Sequence, residues 1–124
     1  MAYKDFTQIS VWQKAKTLLV SIYGLSKQFP EDERLGLTSD IRRAANSVVY
    51  NIAEGYGRFE GRDKSNYYKS GRGSVYKVIS QLFVATELKY LNDSEVNNVV
   101  DGYKDVITEL DSIIKTAENK LRHD

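Results

Sequence analysis

Apolar residues recur at spacings of three and four along nearly the whole chain, a pattern of amphipathic helix and not of strand. The first helix is predicted over residues 10–29. Trp12, Ala15, Leu19, Ile22 and Phe29 form its stripe, with Ser26 in the remaining step. Ser10 and Gln13 have capping-box spacing, in which each side chain satisfies a free backbone group of the first turn. Pro30 closes this helix, because its ring disfavours the helical region at the preceding residue. Residues 31–37, polar and containing Gly36, read as a loop. The second helix is predicted over residues 38–56, with Thr38 as N-cap and Asp40 facing the positive end of the helix dipole. Ile41, Ala45, Val48 and Ile52 make its stripe, widened by Ala44. Glycines at 55 and 57 end it, since glycine readily takes the left-handed capping conformation.

The third helix is predicted over residues 62–89, with Gly71, Val75, Ile79, Leu82 and Thr86 on one face and Tyr68 at its edge. Asn92 and Glu95 again have cap spacing. The fourth helix, over residues 93–121, carries Val96, Val99, Tyr103, Val106, Leu110, Ile113 and Ala117 in a heptad seam. A second apolar set, Val100, Ile107 and Ile114, leaves two readings: burial within the bundle, or partial exposure to another copy. Four amphipathic helices with short links predict an all-α fold, an antiparallel up-down-up-down four-helix bundle. No repeat of solenoid length interrupts it. The 124 residues make a single domain over 1–124.

Composition narrows the chemistry. Zero Cys excludes disulfides and thiolate sites, and one His, His123 beside the C-terminus, excludes a His-based triad in a rigid setting and multi-His metal sites. The first eight residues carry Lys4 and Asp5 and no apolar run, so they do not read as a signal peptide. No stretch approaches the ~18 apolar residues of a membrane span. The expectation is a cytoplasmic protein with no membrane partner.

Net charge is +1, which on its face argues against nucleic acid. The distribution changes that picture. Residues 1–41 are neutral, residues 42–78 hold eight basic and three acidic residues, and residues 79–124 hold five basic and nine acidic. At about 100° per residue, Arg62, Lys69, Arg72 and Tyr76 fall on the side of the third helix opposite its apolar face, with Lys77 flanking. Arg43 points away from the second helix's stripe, and antiparallel packing is expected to bring the two basic faces together around residues 55–61. With Tyr56, Phe59, Tyr67 and Tyr76 interleaved, such a patch can hold phosphates and stack bases. The candidate nucleic-acid contacts are Arg43, Arg58, Arg62, Lys69, Arg72, Lys77, Tyr56 and Tyr76. The plainer alternative is a solvated helix face with ordinary surface tyrosines.

Nothing in the sequence builds an active site. No P-loop pattern is present, and Gly71 and Gly73 lie inside a helical pattern, where close helix–helix approach is the expected reason for them. Glu54 is expected to pair with an Arg or cap the turn; the alternative is a partly buried acid with a raised pKa, the basis of a third reading as a small enzyme. Asn46, Ser47 and Asn51 lie near the core stripe and need hydrogen-bond partners if buried. Glu87, Glu109 and Asp111 lack the Glu-x-x-His pairs of di-metal bundles. The chain reads as a non-enzyme without cofactor or metal.

Several motifs together carry a resemblance: Val11-Trp12-Gln13-Lys14-Ala15, Phe29-Pro30 with Glu33, Gly36-Leu37-Thr38, Arg42-Arg43-Ala44-Ala45-x-Ser47, Asn51-Ile52-Ala53-Glu54-Gly55, Gly57-Arg58 and Arg72-Gly73-Ser74. Over residues 5–91 the chain resembles the bacterial four-helix-bundle proteins of the 23S ribosomal RNA intervening-sequence family. Residues 51–55 and the Arg-Gly-Ser triplet are the most specific parts; Gly71 stands where the family usually has Ala. Trp12, Asn51, Glu54, Gly55, Gly73 and Ser74 match the family motifs and are expected to serve structure. The resemblance implies a four-helix bundle, a ring-like homopentamer and no established catalytic activity. It also implies possible RNA, DNA or protein partners, because a related accessory protein of diversity-generating retroelements binds nucleic acid and a reverse transcriptase. The leading expectation is a non-enzymatic homo-oligomer that binds RNA, rather than DNA, by phosphate contact. The rival is an assembly module in which the basic middle of one protomer meets the acidic last third of the next.

Overall fold

The computed structural model describes residues 2–123, with side chains described for residues 2–119. Met1 and the side chain of His123, both used in reading the sequence, lie outside the described residues. Four helices follow one another: α1 (Ser10–Ser26), α2 (Leu37–Gly57), α3 (Gly61–Glu87) and α4 (Asp93–His123). Single 3-10 turns at Phe6–Gln8 and Glu31–Glu33 precede α1 and α2. Each helix packs against its chain neighbours and α4 closes back on α1, while the backbones of the diagonal pairs stay apart. This is the up-down-up-down bundle the periodicity predicts.

The core is where the stripes converge. Ile22, Ile41, Ile52, Leu82, Tyr103 and Leu110 are fully buried, one or two from each helix. Both apolar sets of α4 face inward: Val100 and Ile114 are buried and Ile107 packs against the core. Burial within the bundle is therefore the reading that holds for α4. Each fully buried aliphatic side chain contributes roughly 1.5–3 kcal/mol, so α4 is a principal source of cohesion.

The ends of the helices correct the sequence reading. α1 stops at Ser26, and Phe29 lies beyond it, buried and tilted against Tyr90 at 5.7 Å between ring centres. Val11, rather than Trp12, takes the central place in the α1 stripe. Ser10 is not a cap: its hydroxyl donates to Glu109 on α4, and Gln13 reaches back to the Thr7 carbonyl. Nor does Thr38 cap α2. The Glu33 carboxylate does so, accepting from the Leu37 N–H at 3.1 Å and from the Tyr90 hydroxyl at 2.9 Å. The Glu33 bond raises the Tyr90 pKa.

α2 ends without a left-handed glycine. Arg58 follows it in extended conformation, its N–H donating to the Glu54 and Gly55 carbonyls, and the Lys64 ammonium donates to the carbonyls of Gly55 and Tyr56 at 3.2 and 2.8 Å. The left-handed residue lies after α3, at Lys89 (φ 64°). There the Lys89 and Tyr90 N–H groups donate to Thr86 and Ala85, a Schellman closure that a lysine fills. Asn92 and Glu95 form the expected capping box, each accepting from the other's backbone N–H.

Candidate nucleic-acid interface

The outer side of α3 carries Arg62, Lys69 and Tyr76 at intervals of seven residues, so they line up along the helix. All three are exposed, as is Lys77. From Arg62 to Tyr76 this line covers about 21 Å. The expectation that these groups stand away from the core holds.

The surroundings of Lys69 and Arg72 differ from expectation. α4 runs beside α3, and its acids reach across: Arg72 Nε donates to Asp111 at 2.6 Å, and Lys69 Nζ lies 3.3 Å from Glu118. Part of the acidic last third is thus spent on the basic middle of the same chain. Both pairs remain open to solvent, and such exposed pairs contribute only about 0.2–1 kcal/mol each. Arg62 and Lys77 have no acid within salt-bridge distance among the described residues.

Arg43 does not join the cluster. It sits fifteen residues before Arg58, about 22 Å down α2, and pairs within its own helix with Asp40 at 3.7 Å. Antiparallel packing holds α2 beside α3 along their length, so Arg43 lies beside the later part of α3 and away from the turn. At the turn Arg58 donates to the Tyr67 hydroxyl at 2.6 Å, its guanidinium 4.6 Å from the ring centre. The ammonium groups of Lys4 and Lys64 each lie 5.4 Å from the centre of the Tyr56 ring, and Arg72 stands 5.2 Å from that of Tyr76. Lys4 was not foreseen: nothing in its local sequence signals that the chain before α1 returns to the end of α2.

The motif residues are fasteners. Ser47 and Ser74 hydroxyls bridge α2 and α3 at 2.9 Å, and the Asn51 amide donates to the Ser47 carbonyl and hydroxyl at 2.8 and 3.0 Å. Asn46 donates to the Tyr23 hydroxyl and the Arg42 carbonyl. The near-core polar residues therefore have the partners the sequence demanded. Gly71 permits close approach, since a Cβ there would meet the Asn51 Cβ at 3.3 Å. Gly55 lies against Tyr68, whose ring a Cβ would enter at 2.5 Å. Burial pushes the Tyr68 phenol up to about 12. Gly73 is a correction: it is exposed, with nothing near a Cβ, so no approach within the bundle requires it.

Trp12 is half-buried, edge-on to Phe6 at 5.1 Å, with Lys16 over its ring. Glu54 is exposed and lies 3.5 Å from Arg58, so the Arg pairing holds and the partly buried acid does not. Among the described residues no group of three His, Cys, Asp or Glu is placed to hold a metal ion, and no helix is long and apolar enough to cross a membrane.

The family model described as 23S rRNA-intervening sequence protein matches residues 7–112. Among solved structures, the chain is similar to a protein of unknown function from the S23 ribosomal protein family of Bacteroides thetaiotaomicron VPI-5482. The TM-score is 0.78 at 21% identity, covering 85% of this chain and 98% of that one, a likeness of fold. No curated protein matches.

Proposed function

The chain belongs to the 23S rRNA-intervening sequence protein family, and from that premise we propose that it is a non-enzymatic, self-associating bundle of the bacterial cytoplasm that holds RNA by phosphate contact along α3. The observation that carries this reading is the outward line of Arg62, Lys69 and Tyr76, with Arg72 and Lys77 beside it. Cations on a straight helix track a phosphate backbone without reading bases, so binding is salt-sensitive and tolerant of sequence. The Asp111 and Glu118 pairs do not oppose it, because exposed ion pairs exchange readily for a phosphate. Copies of a weak patch within an oligomer raise the affinity by avidity. RNA is the expected ligand over DNA. Titrating structured RNA and duplex DNA of equal length at low salt tests this: saturable binding, tighter for RNA, is expected, and flat isotherms for both sink it.

A second reading has its own observation. Tyr76, Phe83, Val84 and Leu88 leave roughly half of their surfaces in water on α3, and Tyr50 does so on α2. Exposed apolar side chains of that kind fit another copy of the chain. Charge-driven assembly between basic and acidic thirds would draw on Arg62 and Lys77, since Arg72 and Lys69 already pair within the chain with Asp111 and Glu118. Light scattering separates the two. A ring that persists at 1 M salt is held by apolar faces and leaves the cations for RNA. A ring that falls to monomers is held by charge.

A further inference from the structure

One cleft in the molecule is not used by phosphate contact. It opens at the bundle end where α1 starts, α2 ends, α3 starts and α4 makes its last described turns, and its volume is about 460 Å³. That is within the range of small-ligand sites, about 300–1,000 Å³. Its apolar lining combines aliphatic Val11, Ile113 and Ala117 with aromatic Tyr56, Phe59 and Tyr68. Phe59 is 77% exposed at this cleft and has no aromatic partner among the described residues. A phenyl ring held in water beside an apolar lining gains by being covered.

The polar lining is specific. Glu109 Oε1 accepts from Ser10 Oγ at 3.0 Å and from Lys14 Nζ at 2.6 Å, which fixes the carboxylate in place. Oε2 has no hydrogen-bond partner among the described residues. An ionised carboxylate accepts and cannot donate, so a ligand must present donors to it. The ammonium groups of Lys4 and Lys64, each 5.4 Å from the centre of the Tyr56 ring, also line the cleft.

We propose that this cleft seats one unpaired nucleobase, with guanine preferred, its face on Phe59, its N1–H and N2–H₂ edge on Glu109, and its 5′-phosphate toward Lys4. A planar base with a donor edge satisfies the aromatic lining and the fixed carboxylate together. Uracil places carbonyl oxygens on either side of its one N–H, and these meet Glu109 with repulsion. The proposal deepens the RNA reading: α3 holds the backbone and the bundle end takes a base displaced from the helix or loop.

The test uses the intact protein and two probes, guanosine 5′-monophosphate and uridine 5′-monophosphate, followed by ¹H–¹⁵N spectra. Guanosine monophosphate is expected to shift the amides of Tyr56, Phe59 and Glu109 saturably, and uridine monophosphate to bind at least several-fold more weakly. Phe59→Ala, at an exposed position that leaves the core untouched, should weaken guanosine monophosphate about tenfold, the scale of one lost stack. Glu109→Gln should erase the difference between the two nucleotides. No saturable shift at these amides, equal binding of the two nucleotides by the wild type, or unchanged affinity in Phe59→Ala overturns the proposal. RNA separates this from the parent reading. Phe59→Ala should weaken a hairpin with unpaired guanosines and spare a fully paired duplex. Equal effects on both RNAs overturn the base seat while phosphate binding stands. Nucleotide shifts at the cleft without any RNA binding overturn the phosphate reading and leave the base seat.

Discussion

Gly55 and Gly73 lie on neighbouring helices, and their surroundings assign them opposite roles. A methyl at Gly55 enters the ring of buried Tyr68, whereas a methyl at Gly73 meets nothing. Gly55→Ala should destabilise the fold by about 1–3 kcal/mol, the usual scale of overpacking. Gly73→Ala should stabilise it by about 0.5–1 kcal/mol, because helical glycine costs that much backbone entropy. Denaturant melts of the two variants check both signs; a destabilised Gly73→Ala would show that the position is occupied in the native assembly. At this scale the sequence was only partly legible. The two glycines look alike in a helical pattern, and only the packing partner tells them apart. Polar residues were better signposted: Ser47, Asn51 and Ser74 fall where a stripe meets its neighbour, and there they find one another.

Among the elements, the pairing of α3 with α4 decides how much of the basic surface is available. Asp111 and Glu118 lie about two turns apart on α4 and hold Arg72 and Lys69. Replacing both acids, D111N/E118Q, should cost no more than about 1 kcal/mol of stability per exposed pair. RNA affinity should rise, and its salt dependence should steepen, as two cations are released to phosphate. Filter binding across salt concentrations measures this; weaker binding would mean that the acids serve to aim the arginine. Helix existence was legible from periodicity, since every stripe reached the core. The ends were less so. Glu33 and Lys64 cap α2 from outside its own sequence, and no local capping pattern can announce a partner from another element. The same reason hid Lys4: its place over Tyr56 depends on how the chain enters the bundle. Arg43 is a candidate that the turn does not gather, because it lies about 22 Å back along α2 and pairs there with Asp40.

For the whole molecule, a net charge of +1 describes neither face. The basic middle and the acidic end lie on adjacent helices and neutralise each other in part, leaving Arg62 and Lys77 without an acid partner among the described residues. On the proposed reading, Phe83, Val84 and Leu88 would take another copy and the cations from Arg62 to Lys77 would take RNA, with Tyr76 shared between the two surfaces. The claim that joins these parts is phosphate contact along α3. Its most direct measurement is the slope of log affinity against log salt for a structured RNA, compared between the wild type and R62A/K69A/R72A. Each lost phosphate contact should flatten that slope by about 0.7–0.9, so the triple variant is expected to lose roughly two to three units along with most of its affinity. An unchanged slope, or a wild type whose affinity ignores salt, would contradict the account.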